Sequence, residues 1–493
     1  MNLSKSLYVR GVQCAKSLWL KIYKNEELEK LSQSTMDKFS VGNRVGEFAC
    51  GLFPNGVKIE FEGSTFEEKY IQTKKLLENN QEIIYEATFL YEGIVVMIDI
   101  LQNTKEGLII NEVKSSTTLK EIYKQDCALQ YFVLKNLNYV IKQVNLIHID
   151  NTYIRGEELE LKKLFVICDI TDEVRAKQEE VKKNLACFSE VLQGQNEPDI
   201  DIGEHCFNPY PCEAYEYCWE KQRGLCQREN IFCIAGLRKD KKFALYKRGI
   251  VEFRDIKDFS SFDTKQKGQI QASLNKQVVC DKEQIRRFLN TLSYPIYHLD
   301  FETFTQAIPE YKGIKPYMQI PFQYSLHIDN KNTLEHREFL SECGVDPRLE
   351  LAKSLVSDIP KDVCVLAYNA SFEKGVIRNL ATLYPSLSEH LLNIEQNIKD
   401  LMIPFKNRAY YHYKMQGSYS IKKVLPALIP EMEEAYKKLN LIHDGSEAMQ
   451  SFEAMQYMSE DERKSYHQAL LEYCKLDTLA MVKVLAFLEE IVS

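Results

Sequence analysis

The sequence contains no run of about 18 apolar residues, which is the length that a membrane-spanning helix requires. Its first twenty residues, MNLSKSLYVRGVQCAKSLWL, also lack the basic and then apolar segments of a secretory signal. From these two absences we expect a cytoplasmic protein with no membrane partner.

Cysteine is too sparse for a fold held together by disulfides, with 14 cysteines in 493 residues. A reducing compartment makes disulfides rare in any case. Nine cysteines are scattered singly, and we expect them to be small buried apolar residues. These nine are Cys50, Cys127, Cys168, Cys187, Cys233, Cys280, Cys343, Cys364 and Cys474. The other five require a separate explanation.

Basic residues are not in excess, since the net charge is −8. This balance does not exclude a nucleic-acid partner, because binding depends on where basic residues lie and because metal sites contribute acidic ones. The hydrophobic content of 45% and charged content of 27% are ordinary for a globular protein. At about 150 residues per domain, the length predicts two or three domains.

Hydrophobic periodicity predicts an α/β protein with two structured parts and a connector. The predicted domains are residues 1–230 and 283–493, joined by 231–282. Predicted helices cover the start to about residue 50 and then 119–137, 172–193, 283–292 and 466–491. Predicted strands cover 83–90, 93–101, 107–113, 143–149, 163–170, 294–301, 322–328 and 363–369. Within the connector, the run FALYKRGIVEF has a strand-like composition.

Two acidic residues and a lysine lie on consecutive predicted strands. Asp99 ends one strand, and Glu112 and Lys114 share one face of the next. In a hairpin, Asp99 and Glu112 come side by side, and Glu86 on the preceding strand could add a carboxylate. Such carboxylates can hold Mg²⁺ or Mn²⁺, while the lysine orients water or stabilises charge on a phosphate. An exposed hairpin with salt-bridged charges would show the same spacing, so both interpretations stay open.

Asp99, followed by Glu112-x-Lys114 and a helix carrying Gln130 and Tyr131, resembles the PD-(D/E)xK nucleases, in particular their RecB-like branch. The resemblance covers roughly the first 226 residues and implies a restriction-endonuclease-like domain. It also implies that Asp99 and Glu112 bind the metal and act in catalysis with Lys114. Gln130 and Tyr131 would contact nucleic acid or the site.

One position departs from that family. Many RecB-like nucleases have a histidine metal ligand on an early helix, where this sequence has Gly46. The departure predicts weaker metal binding or lost catalysis at this site.

Four cysteines cluster in a loop-rich segment. Cys206, Cys212 and Cys218 recur at six-residue intervals in HCFNPYPCEAYEYCW, and Cys226 follows eight residues later. Four thiolates can hold Zn²⁺ or an iron–sulfur cluster. The close CxxC pairs typical of zinc sites are absent.

Cys14, in YVRGVQCAKSLWL, resembles the N-terminal cysteine of RecB-like nucleases that carry a [4Fe–4S] cluster, such as the AddB type and the RecB-type exonucleases associated with CRISPR adaptation. The resemblance implies that Cys14, Cys206, Cys212 and Cys218 hold the cluster and join the two ends of the domain. Cys226 is the alternative fourth ligand, Zn²⁺ is the alternative metal, and cysteines that bind no metal are the third possibility.

A second acidic pair, Asp300 and Glu302, interrupts the otherwise apolar strand YHLDFETF. The two residues are two positions apart, so both point from the same face. Buried carboxylates are costly unless ions or hydrogen bonds compensate them. The pair therefore favours a functional site.

Asp300-x-Glu302 resembles the first motif of the DnaQ-like 3′–5′ exonucleases. Glu373, in YNASFE, stands where the second motif has aspartate, and Tyr473 and Asp477 match the third motif of the tyrosine subtype. The resemblance implies an RNase H-like domain in which Asp300, Glu302 and Asp477 hold two metal ions with help from Glu373. Tyr473 would position the attacking water.

Four further residues are expected to contact nucleic acid. Asn369 and Phe372 belong to the second motif, and Tyr419 and Lys422 lie in the segment YYHYKMQGSYSIKKVLPAL. Phosphate contacts and base stacking are the expected interactions. The same segment could instead be a loop and helix that pack on the sheet.

Together the motifs imply a metal-dependent nuclease with two active sites that hydrolyses DNA, as single strands or at ends, in DNA repair or in defence against foreign DNA. RNA is an alternative substrate, because nothing in the sequence reports on the 2′-hydroxyl. A nucleic-acid-binding module with decayed catalytic sites is the alternative of another class, and Gly46 and Glu373 support it.

Overall fold

A computed structural model describes residues 3–30, 33–60, 63–194, 196–226 and 229–493. The chain divides into two compact units, Met1–Arg228 with Gln306–Tyr317, and Glu229–Thr305 with Met318–Ser493. Each unit combines helices with a β-sheet, which confirms the α/β class. In the part of the chain that is described, no helix has the length and apolar character needed to cross a membrane.

A seven-stranded mixed sheet forms the centre of the first unit. Its strands are β1 (Leu3–Ser4), β2 (Val57–Lys58), β3 (Ile83–Tyr91), β4 (Ile94–Thr104), β5 (Gly107–Lys114), β6 (Ile141–Ile149) and β7 (Phe165–Asp169). They follow the order β2-β3-β4-β5-β6-β7, and β1 pairs with β4. Glu92 and Gly93 join β3 to β4 with φ of 46° and 77°, as the two central residues of a tight type I′ hairpin turn require.

Eight α-helices accompany this sheet in the described residues of the first unit. They are α1 (Lys5–Gln13), α2 (Ala15–Tyr23), α3 (Gln33–Cys50), α4 (Phe66–Glu78), α5 (Glu121–Asn136), α6 (Leu161–Leu164), α7 (Thr171–Ala176) and α8 (Gln178–Gln193). The apolar face of α5, including Leu129 and Val133, packs in one core with Phe89, Val96 and Leu146 of the sheet. The predicted helix over 119–137 is thus confirmed, and its burial holds α5 over the strands.

The second unit contains a five-stranded mixed sheet with its acidic strand at the centre. The strands of this unit are β8 (Val278–Cys280), β9 (Ile296–Thr305), β10 (Gln319–Asp329), β11 (Leu334–Leu340), β12 (Cys364–Ala367), β13 (Ile398–Asp400) and β14 (Tyr410–His412). The large sheet has the order β11-β10-β9-β12-β13, and β14 pairs separately with β8. Antiparallel β10 and parallel β12 flank β9.

Eleven α-helices accompany these strands. They are α9 (Lys239–Lys247), α10 (Thr264–Asn275), α11 (Lys282–Leu289), α12 (Arg348–Asp358), α13 (Ser371–Leu383), α14 (Pro385–Asn397), α15 (Ile403–Lys406), α16 (Ile421–Leu428), α17 (Pro430–Lys437), α18 (Gly445–Ala454) and α19 (Glu460–Glu490). A capping box of Ser459 and Glu462 begins α19. Thr478 of α19 bonds to Ser325 and His327 of β10 at 2.7 Å each, which fixes the helix against the sheet.

The strand-like run FALYKRGIVEF is a helix in its first half, so that expectation is wrong. Phe243 and Tyr246 of α9 both pack on Phe232, with ring centroids 5.3 and 5.8 Å apart. A spacing of three residues suits one face of a helix and not of a strand. Residues 231–282, expected to be a connector, lie within the second unit and include α9, α10 and β8.

The connection between β9 and β10 contributes residues to the first unit. In this segment, Gln306–Tyr317, Ala307 and Ile308 lie in one apolar cluster with Val45 and Ile149. The backbone of Arg155 exchanges hydrogen bonds with Ile314 and Gly313 at 3.0 and 2.8 Å. Ordinary core packing and backbone pairing therefore hold this segment.

Candidate active sites

Three carboxylates lie side by side on the first sheet. The antiparallel register pairs the residues on both sides of Glu86 with those on both sides of Asp99. It also pairs Ile100 with Asn111, next to Asp99 and Glu112. The Asp99 carboxylate accepts a hydrogen bond of 2.6 Å from the Val113 amide. Glu112 is only 2% exposed, so this row of acids extends into the protein interior.

Two lysines and a glutamine bind these acids. Lys114 Nζ lies 2.7 Å from both Glu112 Oε1 and Asp126 Oδ2. Lys5 Nζ lies 3.0 Å from both oxygens of Glu112. Gln130 Nε2 donates to Glu112 at 2.6 Å and to Asp126 at 3.3 Å. Glu112 is therefore the centre of a hydrogen-bonded cluster.

The charges in this cluster do not balance. Burial raises the pKa of Glu112, and repulsion from Asp126 and Asp99 raises it further. Burial also raises the pKa values of Asp99 and Glu86. At Asp126 the nearby Lys114 and Lys5 outweigh burial and lower the pKa. Asp99, Glu112 and Asp126 share the two ammonium groups of Lys5 and Lys114, and this negative excess suits a divalent cation.

The C-terminal end of α3 lies beside the same carboxylates. Burial raises the pKa of the Cys50 thiol to about 11, with contributions from the charges of Glu86 and Asp99. Gly46 precedes Cys50 by one helical turn and so shares its face. A Cβ atom at Gly46 would meet no atom within 4 Å apart from its chain neighbours and the backbone of its own helix. The position lacks a ligand but has room for one.

The two residues of α5 expected to meet nucleic acid or the site are both buried. Gln130 is fully buried and belongs to the carboxylate cluster. Tyr131 is 8% exposed and packs in the core of the first unit. Neither offers an accessible surface for base stacking.

The second acidic site is built around the central strand β9. Ligand atoms of Asp300, Glu302 and Cys474 lie within 4.8 Å of one another. Cys474 Sγ is 3.8 Å from Asp300 Oδ2. This cysteine is buried, as expected, but its sulfur faces a carboxylate and not an apolar pocket. Burial and repulsion by Asp477 raise the pKa values of both Asp300 and Glu302.

Asp477 on α19 completes this cluster with two tyrosines. Tyr436 donates a hydrogen bond of 2.6 Å to Asp477 Oδ1, and the Tyr473 hydroxyl also bonds to this carboxylate. The positive charge of Lys422 acts on both Asp477 and Glu302. Burial outweighs these contacts and raises the pKa of Asp477.

Glu373 lies near the same site and accepts a hydrogen bond from its own backbone amide. It is 3% exposed, and its Oε2 atom has no hydrogen-bond partner among the described residues. Burial raises its pKa to about 8, and the Asp400 charge adds to the shift. Its charge in turn raises the pKa of Asp300. A buried carboxylate with one unpaired oxygen in an acidic cluster fits a cation ligand.

The four residues expected to contact nucleic acid from the second unit differ in exposure. Asn369 has a positive φ of 67°. Its backbone N–H donates a hydrogen bond of 3.0 Å to the Asp400 carboxylate. Phe372 packs against the core. Tyr419 is 38% exposed and Lys422 is also exposed. Asn369, Tyr419 and Lys422 are therefore exposed, whereas Phe372 is half-buried.

Four cysteines of the first unit come together around one small cavity. Cys14, Cys206, Cys212 and Cys218 all line it. Burial raises the pKa of Cys218 to about 11, and the other three thiols contribute to the shift. Within the described ranges, no three of these sulfurs form a group in which all atoms lie within 4.8 Å of one another. Their spacing is wider than that of the Asp300 group.

Cys226 lies apart from this cluster. It is exposed, and the charges that act on its thiol belong to Glu220, Glu216 and Glu29. Of the two candidates for a fourth cysteine, Cys14 is the one that lies beside the other three.

Sequence reasoning missed four residues of these sites: Lys5, Asp126, Tyr436 and Cys474. Asp126 and Gln130 are four positions apart on the predicted helix, so this spacing could have revealed Asp126. No local pattern marks Lys5, which is 107 residues from its partner Glu112. Tyr436 is likewise 41 residues from Asp477.

The chain is similar to one protein family and to three curated proteins, and their descriptions state no activity. A family model described as a domain of unknown function (DUF2779) matches residues 297–420. This stretch contains Asp300, Glu302 and Glu373 and ends before Asp477.

Three curated proteins are similar to parts of the chain. Uncharacterized protein MG366 of Mycoplasma genitalium is 24% identical over 222 residues, which are 41% of this chain and 33% of that protein. The MG366 homolog of Mycoplasma pneumoniae is 24% identical over 214 residues, or 40% and 32%. Uncharacterized protein UU173 of Ureaplasma parvum is 24% identical over 180 residues, or 34% and 26%. The chain spans a third or less of these relatives' length.

Proposed function

We propose that the protein is a metal-dependent nuclease with one active site in each unit. The observation that carries this proposal is that each unit buries a cluster of carboxylates with too few positive charges to balance it. Such clusters are costly unless a cation binds. Oxygen ligands of this kind suit Mg²⁺ or Mn²⁺.

In the first unit, Asp99 and Glu112 would hold the metal, with Glu86 and Asp126 close by. A bound divalent ion supplies a water of lowered pKa and stabilises charge on phosphate. Lys114 bridges Glu112 and Asp126, so it holds both carboxylates in place and keeps a positive charge at the site. This arrangement supports a RecB-like PD-(D/E)xK nuclease.

In the second unit, Asp300, Glu302 and Asp477 would hold the metal, with Glu373 as a further ligand. The hydroxyl of Tyr473 bonds to Asp477 and would orient a water molecule. An acidic pair on the central strand and an aspartate on the helix packed against it support a DnaQ-like exonuclease with an RNase H-like fold. Single-stranded DNA or DNA ends are the proposed substrates.

For the cysteine cluster, we propose a [4Fe–4S] centre held by Cys14, Cys206, Cys212 and Cys218. Bonds of about 2.3 Å to one tetrahedral Zn²⁺ would bring the four sulfurs to about 3.8 Å from each other. The sulfurs here are spread more widely than that. In an iron–sulfur cube each thiolate binds a different iron, which suits the wider spacing.

Cys212→Ser is expected to remove the brown visible absorbance and the bound iron from protein purified without oxygen. The first unit should also lose stability, because a metal centre that joins distant segments contributes directly to folding. Cys226→Ser is the matched control and should keep colour, iron content and melting temperature. A colourless wild-type protein that contains zinc would contradict the iron–sulfur assignment.

Gly46→His is expected to increase cleavage that depends on Lys114 severalfold and to lower the Mn²⁺ concentration needed for half-maximal rate. The position has room for a side chain, and an imidazole there adds a metal ligand. Gly42→His is the matched control, because it lies one turn earlier on the same face of α3 and also has open space. Equal effects of both substitutions would show that helix stabilisation, and not metal binding, is the cause.

The test of the whole proposal is degradation of 3′- and 5′-labelled DNA and RNA, single- and double-stranded, with Mg²⁺ or Mn²⁺. If the Lys114 variant and the Asp300 variant each lose a different set of products, the protein has two active sites. The label that each set retains would give the direction of degradation at that site. Tight binding by the wild type without any cleavage would favour a nucleic-acid-binding module with decayed sites. If the protein degrades RNA in preference to DNA, we would instead propose an RNA exonuclease. A role in DNA repair or in defence against foreign DNA would then have no basis.

A further inference from the structure

We infer that Tyr210, Tyr123 and Lys120 form a stacking platform for the bases of a single-stranded nucleic acid at the first active site. The inference rests on the proposed function, because it assigns a substrate-binding surface to the site of Lys114. All of these residues lie in the first unit.

The platform consists of aromatic rings and ammonium groups in direct contact. Lys120 Nζ lies 5.7 Å from the ring centroid of Tyr210 and 5.8 Å from that of Tyr123. Lys114 Nζ lies 5.5 Å from the Tyr123 ring. The hydroxyl groups of the two tyrosines interact with each other. Tyr123 therefore links the platform to the lysine of the carboxylate cluster.

The platform is accessible. Tyr210 is 42% exposed although it is a large aromatic residue. Leu119, which precedes Lys120, is 41% exposed. Within the described part of the chain, no carboxylate lies within 4.0 Å of the Lys120 ammonium group. An aromatic face and an uncompensated cation remain available to a ligand.

The cysteine cluster holds Tyr210 in place. Tyr210 lies in the short loop between Cys206 and Cys212, which a backbone hydrogen bond of 2.9 Å from Cys212 to Cys206 closes. Gln13, adjacent to Cys14, donates hydrogen bonds of 2.7 and 2.8 Å to the carbonyl groups of Tyr210 and His205. The loop thus presents the tyrosine from a fixed base.

The chemistry of these groups identifies the ligand. Stacked aromatic rings bind bases of any sequence, and lysines bind the phosphates between them, which is how single strands are held without sequence preference. A duplex hides the faces of its bases, so it could not use the Tyr210 ring except at a frayed end. A single strand on this platform would reach the carboxylates through Lys114.

The first experiment measures binding by fluorescence anisotropy, in EDTA so that cleavage cannot occur. The probes are fluorescein-labelled oligothymidylate and oligouridylate of about 15 nucleotides and a blunt duplex of the same length. Tyr210→Ala should weaken single-strand binding about 5- to 10-fold, since stacking accounts for much of such affinity. Tyr210→Phe keeps the ring and should bind almost as wild type. Lys120→Gln should reduce the salt dependence by about one phosphate contact.

A second experiment uses fluorescence to test whether a base stacks at position 210. The chain has two tryptophans, both buried, so Tyr210→Trp adds an exposed fluorophore that a stacked base should quench. Tyr457→Trp is the matched control, because Tyr457 is 85% exposed and lies in the second unit. Equal quenching by both oligomers would place DNA and RNA on the same platform, while quenching by one of them would identify the polymer.

Unchanged affinity in Tyr210→Ala together with no quenching in Tyr210→Trp would overturn the inference. An equal loss of duplex binding would overturn it as well, because stacking requires exposed bases. Both experiments omit metal, so their outcome does not depend on whether the protein cleaves. Binding and quenching without any cleavage would uphold the platform and refute the nuclease, and Lys114-dependent cleavage without a Tyr210 effect would do the reverse.

Discussion

Asp300→Asn is expected to reduce 3′–5′ degradation by roughly a thousandfold, while the metal-free protein becomes more stable to heat. Loss of a metal ligand removes several kcal/mol of transition-state stabilisation, and each 1.36 kcal/mol is about a tenfold change in rate. Without metal, Asp300 is repelled by Asp477, Glu302 and Glu373. A neutral amide relieves this repulsion, so the melting temperature should rise by a few degrees.

The measurement combines release of 3′-terminal nucleotides with thermal melting in EDTA and in Mn²⁺. Glu335→Gln is the control, since it makes the same carboxylate-to-amide change at an exposed position on β11 of the same sheet. Unaltered exonuclease activity in Asp300→Asn would remove the second site from the proposal. A lowered melting temperature in EDTA would show that the carboxylate has a structural role instead.

The same cluster makes the stability of the metal-free second unit depend on pH. Glu373 has an ordinary pKa of 4.5, and burial raises it to about 8 in the folded state. Below pH 4.5 both states hold the proton, and the contribution of Glu373 to stability is fully present. As the pH rises towards 8, the unfolded state releases the proton more readily, so this contribution is lost. Stability in EDTA should therefore fall over this range, and Mn²⁺ should restore it.

Lys114→Met is expected to reduce cleavage at the first site by roughly a hundred- to a thousandfold, because it removes a positive charge that acts on the phosphate. It should also destabilise the first unit by about 3 kcal/mol, the usual cost of removing one partner from a buried ion pair. Glu112 and Asp126 would then share the ammonium group of Lys5 and the amide of Gln130. Exonuclease activity that depends on Asp300 should persist.

Lys105→Met is the matched control for this substitution. Lys105 is exposed and lies in the turn between β4 and β5, the same hairpin that carries Asp99 and Lys114. Both activities and the melting temperature should match the wild type in this control. Loss of both activities in Lys114→Met, with the fold intact by circular dichroism, would contradict a model of two independent sites.

Local patterns were sufficient to predict the strands and helices that carry the candidate sites. The predicted strands 83–90, 93–101 and 107–113 match β3, β4 and β5 to within three residues at each end, because short runs of apolar residues bounded by turn residues are local signals. The acidic pair of β9 was visible for the same reason. An exception is α9, where a strand-like composition predicts a strand although the apolar residues have the spacing of a helix face.

The partners of these residues were not predictable in the same way. Lys5 and Cys14 lie more than 100 residues from the groups they contact. Cys474 was interpreted as one more buried cysteine, and only the packing of α19 on β9 places its sulfur beside Asp300. Gln130 was expected to meet nucleic acid or the site, and burial of α5 assigns it to the carboxylates.

The sequence by itself determined the α/β class, the two acidic motifs and the spacing of Cys206, Cys212 and Cys218, since each depends on residues close together in the chain. Tertiary structure decided which groups neutralise the acids, that Cys14 and not Cys226 lies beside the other three cysteines, and that Tyr210 lies against Tyr123. The physical reason is that burial and charge contacts form between segments far apart in sequence. Their pairing depends on how helices and strands pack, which no local pattern encodes.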